Sequence, residues 1–179
     1  VEGLHLWSVG AAGTSQVCAG HASYVYSVAF SPDGGSIASG SWDGSVRLWS
    51  ALSGEPIATL PLQGTVPGSY SQVFGVAFSP DGRQLARRSG GWLDLLSTDL
   101  GRVVAHFPLK SGTTVALSAD GSWLASDELG HIRLWNARTL EEAAFARSAE
   151  PGRAPSLAFS ADGGLLAIGL ADTGTVTLS

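Results

Sequence analysis

GHASYVYSVAFSPDGGSIASGSWDGSVRLWS, residues 20–50, decides how the rest of the chain is read. Three short runs in it, VYSVAF, SIASGS and VRLWS, alternate apolar with small or polar residues, and Pro32-Asp33-Gly34-Gly35 and Asp43-Gly44 divide them. Asp and Gly accept the positive φ of tight turns, so period-two runs between them read as hairpin-linked strands. The central phrase returns as SPDG at Ser79–Gly82 and as SADG at Ser118–Gly121 and Ser160–Gly163. The Asp-Gly pairs begin at Asp33, Asp81, Asp120 and Asp162, with separations of 48, 39 and 42 residues. A period near 40 residues with turns inside each unit excludes a helical solenoid and points to small sheets repeated around an axis.

Working outward, each unit resolves into four strands. The first full copy adds PIATLP after Ser53-Gly54; the second reads VFGVAF, QLARRS, WLDLLS and VVAHFP; the third TTVALS, SWLASD, HIRLWN and EAAFAR; the last PSLAFS, LLAIGL and TVTLS. Thr139–Arg147 (TLEEAAFAR) contains good helix formers, but it fills the slot of a fourth strand and is expected to be one. VEGLHLWS and SQVCAG read as a third and a fourth strand that precede the first full unit.

At 179 residues and 44% hydrophobic content the chain can bury a substantial core. Its net charge is −5, and Lys110 and the nine arginines are scattered, so no basic stripe exists to follow a phosphate backbone. Nucleic acid is not an expected partner, and no apolar run is long enough to make a membrane one. The one cysteine, Cys18, excludes an internal disulfide and suits a reducing, cytoplasmic setting. The Arg-, Ala- and Gly-rich, Lys-poor composition fits a high-GC bacterial source.

Gly20-His21, the SPDG turn, SWDG at Ser41–Gly44 and RLW at Arg47–Trp49, with Arg133-Leu134-Trp135 and Leu6-Trp7 repeating the Trp-ending strand, together resemble the WD40 repeat. The resemblance covers nearly the whole chain and implies an all-β fold: a WD40-type β-propeller, as a partial or oligomer-completed ring of four-stranded antiparallel blades. Residues 1–179 form one such segment, with a partial blade over 1–20, blades over 21–62, 70–109 and 112–148, and an incomplete blade over 154–179.

The family pattern links four residue types in each blade by hydrogen bonds, and only the first full blade supplies all of them: His21, Ser39 or Ser41, Asp43 and Trp49. An imidazole beside a carboxylate and a serine also resembles part of a hydrolase triad. The structural reading is preferred, because buried polar groups are costly unless paired and this chain of partners pairs each one. The second unit has Leu96 in place of Trp and no Asp in its hairpin, and the last ends without Trp. These blades are expected to rely on apolar packing of Val76, Phe78, Leu85 and Leu93, or Val115, Leu117, Leu124 and Ile132, and to be softer. His5, His106 and His131 lie in different units with no ligand spacing, so no metal is expected. No cofactor is implied, since Ser89-Gly90-Gly91 lacks the remainder of a phosphate-binding loop.

In the family, the positions just before and within the first strand, and just before the hairpin Asp, face the narrow end of the ring. Here they hold Tyr24, Tyr26 and Trp42, then Gln72, Phe74 and Gly90, then Ser111 and Thr113, then Arg153, Pro155 and Ala171. Aromatics are over-represented at binding hot spots. The resemblance therefore implies a partner-binding set of Tyr24, Tyr26, Trp42, Phe74 and Arg153, taking a protein or peptide with an apolar anchor and, through Arg88 and Arg153, an acid.

The expected function is a non-enzymatic docking or sensing scaffold; the alternatives are a propeller enzyme with a site at the central channel, or a purely structural self-assembling segment. The absence of methionine and the staggered ends lead us to expect a piece of a longer propeller completed by a companion fragment. Two copies joining at about eight blades and closure alone at four are the competing outcomes. In each, SQVCAG is expected to mate with the last three strands, because an open sheet edge attracts pairing.

Overall fold

The computed structural model describes residues 3–8, 15–60, 72–99, 101–110, 113–128, 131–139, 141–147, 156–169 and 176–178. Seventeen strands run through them and the described residues contain no helix, so residues 142–147 form a strand despite their helix-forming composition. The N-terminal sheet pairs β1 (Leu4–Trp7) with β2 (Ser15–Cys18). The first blade is β3 (Val25–Phe30), β4 (Ser36–Ser41), β5 (Val46–Ser50) and β6 (Pro56–Leu60). The second is β7 (Val73–Phe78), β8 (Gln84–Ser89), β9 (Trp92–Ser97) and β10 (Val103–Pro108). The third is β11 (Val115–Leu117), β12 (Trp123–Glu128), β13 (His131–Asn136) and β14 (Glu142–Arg147). The C-terminal sheet is β15 (Ser156–Phe159), β16 (Leu166–Gly169) and β17 (Val176–Leu178). All pairings are antiparallel meanders between sequence neighbours.

The repeated Ser-x-Asp-Gly phrase builds the first hairpin of each unit. Ser31, Ser79, Ser118 and Ser160 donate through Oγ to Oδ1 of Asp33, Asp81, Asp120 and Asp162, at 2.5 to 2.7 Å. Each Oδ1 also accepts the amide two residues on, from Gly35, Arg83, Ser122 and Gly164. The serine hydroxyl is the largest influence on each carboxyl and holds all four below the usual carboxylate range. The glycine that follows each Asp lies at φ between 69° and 72°, a left-handed conformation that costs glycine nothing.

Packing between sheets follows from strand alternation, which gives each sheet two unlike faces. One cluster buries Ala38, Val46, Leu48 and Leu60 of the first blade against Val73, Val76, Leu85 and Leu96 of the second. The next joins Ala86, Leu93 and Leu95 to Val115, Leu124 and Trp135, and a third joins Ala125 and Ile132 to Leu166 and Ile168. At the other end Cys18, with Leu4 and Leu6, packs on Ile37 and Trp49. Every cluster therefore spans one junction between consecutive sheets.

The described sheets form an open series rather than a closed ring. β2 pairs with β1 and, among the described residues, not with β17. Among the described residues of the single chain, the expected mating of SQVCAG with the last three strands is not made. Cys18, Leu4 and Leu6 bury their apolar surface on the first blade, against Ile37 and Trp49.

Gly40 shows how tight these junctions are. A Cβ placed there would lie 2.5 Å from Val73 Cγ1 and 3.2 Å from Val76 Cγ1. Gly40→Ala should lower stability by about 1–3 kcal/mol, the usual cost of overpacking a core, with the first and second blades forced apart. Urea denaturation of both proteins checks this; an unchanged midpoint would show that the valines move aside freely.

Candidate functional site

The first blade carries a directional hydrogen-bond relay. Trp49 Nε1, which can only donate, gives its proton to Ser39 Oγ at 2.7 Å. Ser39 Oγ lies 2.7 Å from His21 Nε2, and His21 Nδ1 lies 2.9 Å from Asp43 Oδ2. With a neutral ring the order is fixed: Trp49 to Ser39, Ser39 to His21, His21 to Asp43. Of the two candidate serines, Ser39 takes the relay position, while Ser41 donates to the Ser23 carbonyl and accepts the Asp43 amide. Asp43 further accepts the Ala22 amide, the Ser45 amide and the Ser45 hydroxyl at 2.6 to 2.8 Å. Burial alone would raise its pKa, but these bonds and that from His21 outweigh it and hold the carboxyl well below the usual range.

His, Ser and Asp are thus arranged in triad order, yet the chemistry of a nucleophile is missing. Ser39 is fully buried, one lone pair accepts the Trp49 indole N–H and its proton is directed at His21. At 0% exposure the hydroxyl has no path to solvent. The relay fastens β4 and β5 to the segment before β3.

The second blade answers the same geometric demand with charges, which the sequence reading missed. Arg87 stands in the register of Ser39, Asp94 in that of Arg47 and His106 in that of Thr59, so Arg87, Asp94 and His106 form a row across β8, β9 and β10. Arg87 Nε donates to Asp94 Oδ2 at 2.9 Å, and His106 Nδ1 meets Asp94 Oδ1. The His106 ring also stacks on Trp92 at 3.9 Å between centroids. The apolar packing expected of this blade is present, with Val76, Leu85 and Leu93 buried and Phe78 packed beside them, and the ionic row adds to it; an Arg and an Asp placed opposite each other across the Gly90-Gly91 hairpin were the available signal. His106 is a structural partner of Asp94. In the third blade Asp127 accepts the amides of Thr113 and Thr114, and burial pushes its carboxyl up against the effect of those bonds. Among the described residues no three His, Cys, Asp or Glu side chains are grouped to hold a metal ion, and no helix is long and apolar enough to cross a membrane.

At the end of the sheets where first strands begin, four aromatics form a continuous row over two blades. Tyr24 and Trp42 meet edge to face at 6.2 Å, Tyr26 and Trp42 at 5.7 Å, and Tyr26 and Phe74 edge to face at 5.9 Å. The Trp42 amide donates to the Tyr24 carbonyl at 2.9 Å, which ties the second hairpin to the start of β3. Tyr24, Tyr26 and Trp42 remain 41% to 58% exposed, and Phe74 is half-buried. Arg153 lies outside the described residues. Arg88 is not a surface cation: it is fully buried, with Nη1 donating to the Ser89 and Trp92 carbonyls. Burial lowers its pKa, and Asp127, Glu128 and Asp94 oppose that lowering. It takes the slot of Gly40 and turns toward the third blade, so it is unavailable to a ligand's acid.

A family model described as "WD domain, G-beta repeat" matches residues 13–50, 55–94 and 100–136, together more than half of the chain. The chain belongs to the WD40 family. Among curated proteins it is similar to the periodic tryptophan protein 2 homolog of Neurospora crassa, 42% identical over 50 residues, which is 28% of this chain and 6% of that protein. It is also similar to the Notchless protein homolog of Arabidopsis thaliana, 53% identical over 45 residues, 25% of this chain and 10% of that protein. The chain thus spans only a small part of the length of these WD40 relatives.

Two outcomes are expected from the polar networks. Asp43→Ala should cost about 1–3 kcal/mol by orphaning the donors gathered on the carboxylate. A folded pKa below the unfolded one makes this contribution complete above the ordinary carboxylate range, near pH 4, and lost as pH falls below it. The stability gap between the wild-type WD40 chain and the variant, read from denaturation at stepped pH, should therefore narrow on acidification. Asp94→Ala, which strips a buried arginine of its partner, should cost about 3–5 kcal/mol, whereas replacing Arg87 and Asp94 together by leucine should be close to neutral. Equal losses in the single and double variants would show that the ion row is not a closed unit.

Proposed function

We propose that this chain is a non-enzymatic protein-interaction module that docks a peptide or protein segment on the row Tyr24, Tyr26, Trp42 and Phe74. The observation that carries the reading is the exposure of three large aromatics gathered on the first blade, Tyr24, Tyr26 and Trp42, with Tyr26 continuing the row across the blade junction to Phe74. Water-exposed apolar surface of this kind is unfavourable unless it is used. Aromatic side chains bury much area with few rotatable bonds, which suits hot-spot residues. The WD40 family and the WD40 relatives support an interaction scaffold in general terms. With Arg88 buried, the patch favours a ligand with an aromatic or branched aliphatic anchor, and the acidic feature expected from the sequence is left to Arg153 alone. The full burial of the Ser39 hydroxyl, which is bonded to Trp49 and His21, speaks against the enzyme alternative at the relay.

Trp42→Ala leaves Asp43 and Gly44 in place and should preserve the fold. Peptides selected from a display library on the full chain should bind the Trp42→Ala protein at least tenfold more weakly, about 1.4 kcal/mol, at an unchanged melting temperature. If the triple alanine variant of Tyr24, Tyr26 and Trp42 binds them as tightly as the parent but melts earlier, the aromatics are packing residues and the reading fails.

A further inference from the structure

The fourth strand of every complete blade carries a β-bulge at the same point. Between Trp49↔Pro56 and Leu48↔Ala58 the ladder skips Ile57; between Leu96↔Val103 and Leu95↔Ala105 it skips Val104; between Trp135↔Glu142 and Leu134↔Ala144 it skips Ala143. A bulged residue leaves the ladder and its side chain is re-aimed. Each of these three lines a groove between its own blade and the first hairpin of the next sheet, at the Ser-x-Asp-Gly end. The groove beside Ile57 has a volume of about 530 Å³, within the roughly 300–1,000 Å³ of ligand sites. Leu48, Ile57 and Phe78 form its apolar wall, and Ile57 is 56% exposed there.

The grooves share this shape but differ in charge. Among the described residues, Asp33, Asp81 and Asp99 line the first with one cation, Arg83. Asp81 and Asp120 line the second with Arg83 and Arg138, which balances it, and no charged side chain lines the third. Both turn hydrogen bonds of Asp33 and of Asp81 end on Oδ1, whereas in Asp120 the Ser122 hydroxyl takes Oδ2 as well. The turn therefore leaves Oδ2 of Asp33 and of Asp81 for another donor. The Ser31 and Ser79 hydroxyls, with the amides of Gly35 and Arg83, hold both carboxyls below the usual range, so the acidic character persists well below neutral pH. The wall that carries Asp81 and Asp99 is built as one piece. The Thr98 hydroxyl donates to the Gly82 carbonyl at 2.8 Å and the Thr98 amide to the Arg83 carbonyl at 2.9 Å.

We propose that the groove between the first and second blades docks a peptide or protein segment in which a lysine or arginine stands beside a branched aliphatic residue. The aliphatic side chain covers Ile57 and Phe78 and supplies the buried area. The cation pairs with the Asp33 and Asp81 carboxylates. Three carboxylates against one guanidinium repel an acidic segment, so charge decides which segment is accepted. The aromatic row lies at the opposite end of the sheets, beside the Asp43 hairpin, so each site can fail without the other.

Amide chemical shifts of the full chain, titrated with the capped peptides Gly-Ser-Leu-Arg-Ser-Gly and Gly-Ser-Leu-Glu-Ser-Gly, test it. The arginine peptide should move the amides of Ile57, Gly82 and Arg83 and bind at least tenfold more tightly than the glutamate peptide, by a margin that shrinks in high salt. Asp33→Asn combined with Asp81→Asn keeps an Oδ1 acceptor for each turn and should weaken the arginine peptide at least fivefold with unchanged β-sheet circular dichroism. Ile57→Ser, at an exposed position, should weaken it as much, whereas Val104→Ser in the balanced groove should leave it unchanged. No shift at millimolar peptide, equal affinity for the two peptides, shifts confined to the Tyr24 and Trp42 end, or groove variants that bind like the wild type would overturn the proposal. Shifts at the same amides that depend on protein concentration without peptide would assign the groove to a second copy, again against it.

Discussion

A face of small side chains meeting a face of branched ones is the constraint on which the arrangement depends. Ala38 and Gly40 meet Val73 and Val76 because the second strand alternates small residues inward on one side and relay or ionic residues on the other. Without a Cβ at Gly40 the next sheet approaches until its valines nearly touch backbone, and the apolar area removed from water drives the contact. The branched side must then accommodate the polar strand-spanning networks as well, so these are sealed at the same junctions that hold the sheets together.

Two polar solutions occupy one set of register positions. The relay of the first blade is a chain of hydrogen bonds that starts at a pure donor, Trp49, passes through Ser39 and His21, which each give and receive, and ends on a pure acceptor, Asp43. The row in the second blade removes a guanidinium from water and sets it against the Asp94 carboxylate, which His106 holds from the other side. Arg88, on the opposite side of the same strand, depends in turn on acids of the third blade. The second blade is therefore specific to its neighbours, whereas the relay of the first is closed within its own sheet and the residues leading into it.

The fold was legible because Asp-Gly punctuation at near-constant spacing marks hairpins independently of tertiary context, and Asp33, Asp81, Asp120 and Asp162 each serve the same turn. The members of the relay were legible for a similar reason, since one hairpin and one strand end fix most of their spacing. What could not be read linearly depended on register between strands. Asp94 looks like a stray acid in an apolar run until β8 and β10 are set beside β9, and Arg88 looks like a surface cation until Gly40 is found to hold its place in the preceding blade. Within the chain β2 pairs with β1, and the seating of that pair on the first blade through Leu4, Leu6 and Cys18 is a side-chain contact that reasoning from sheet edges alone does not reveal.

The family matches and the blades are out of phase by one strand. Residues 13–50 run from β2 of one sheet through β5 of the next, and residues 100–136 run from β10 through β13. The unit that the family match delimits is therefore not the unit that folds as a sheet. Duplicating or deleting one such segment in a gene always transfers an outer strand together with the three inner strands of the following sheet, so the cut ends of the product remain staggered and mutually fitting. Arrays built this way can change length by whole repeats without ever having to invent a new junction.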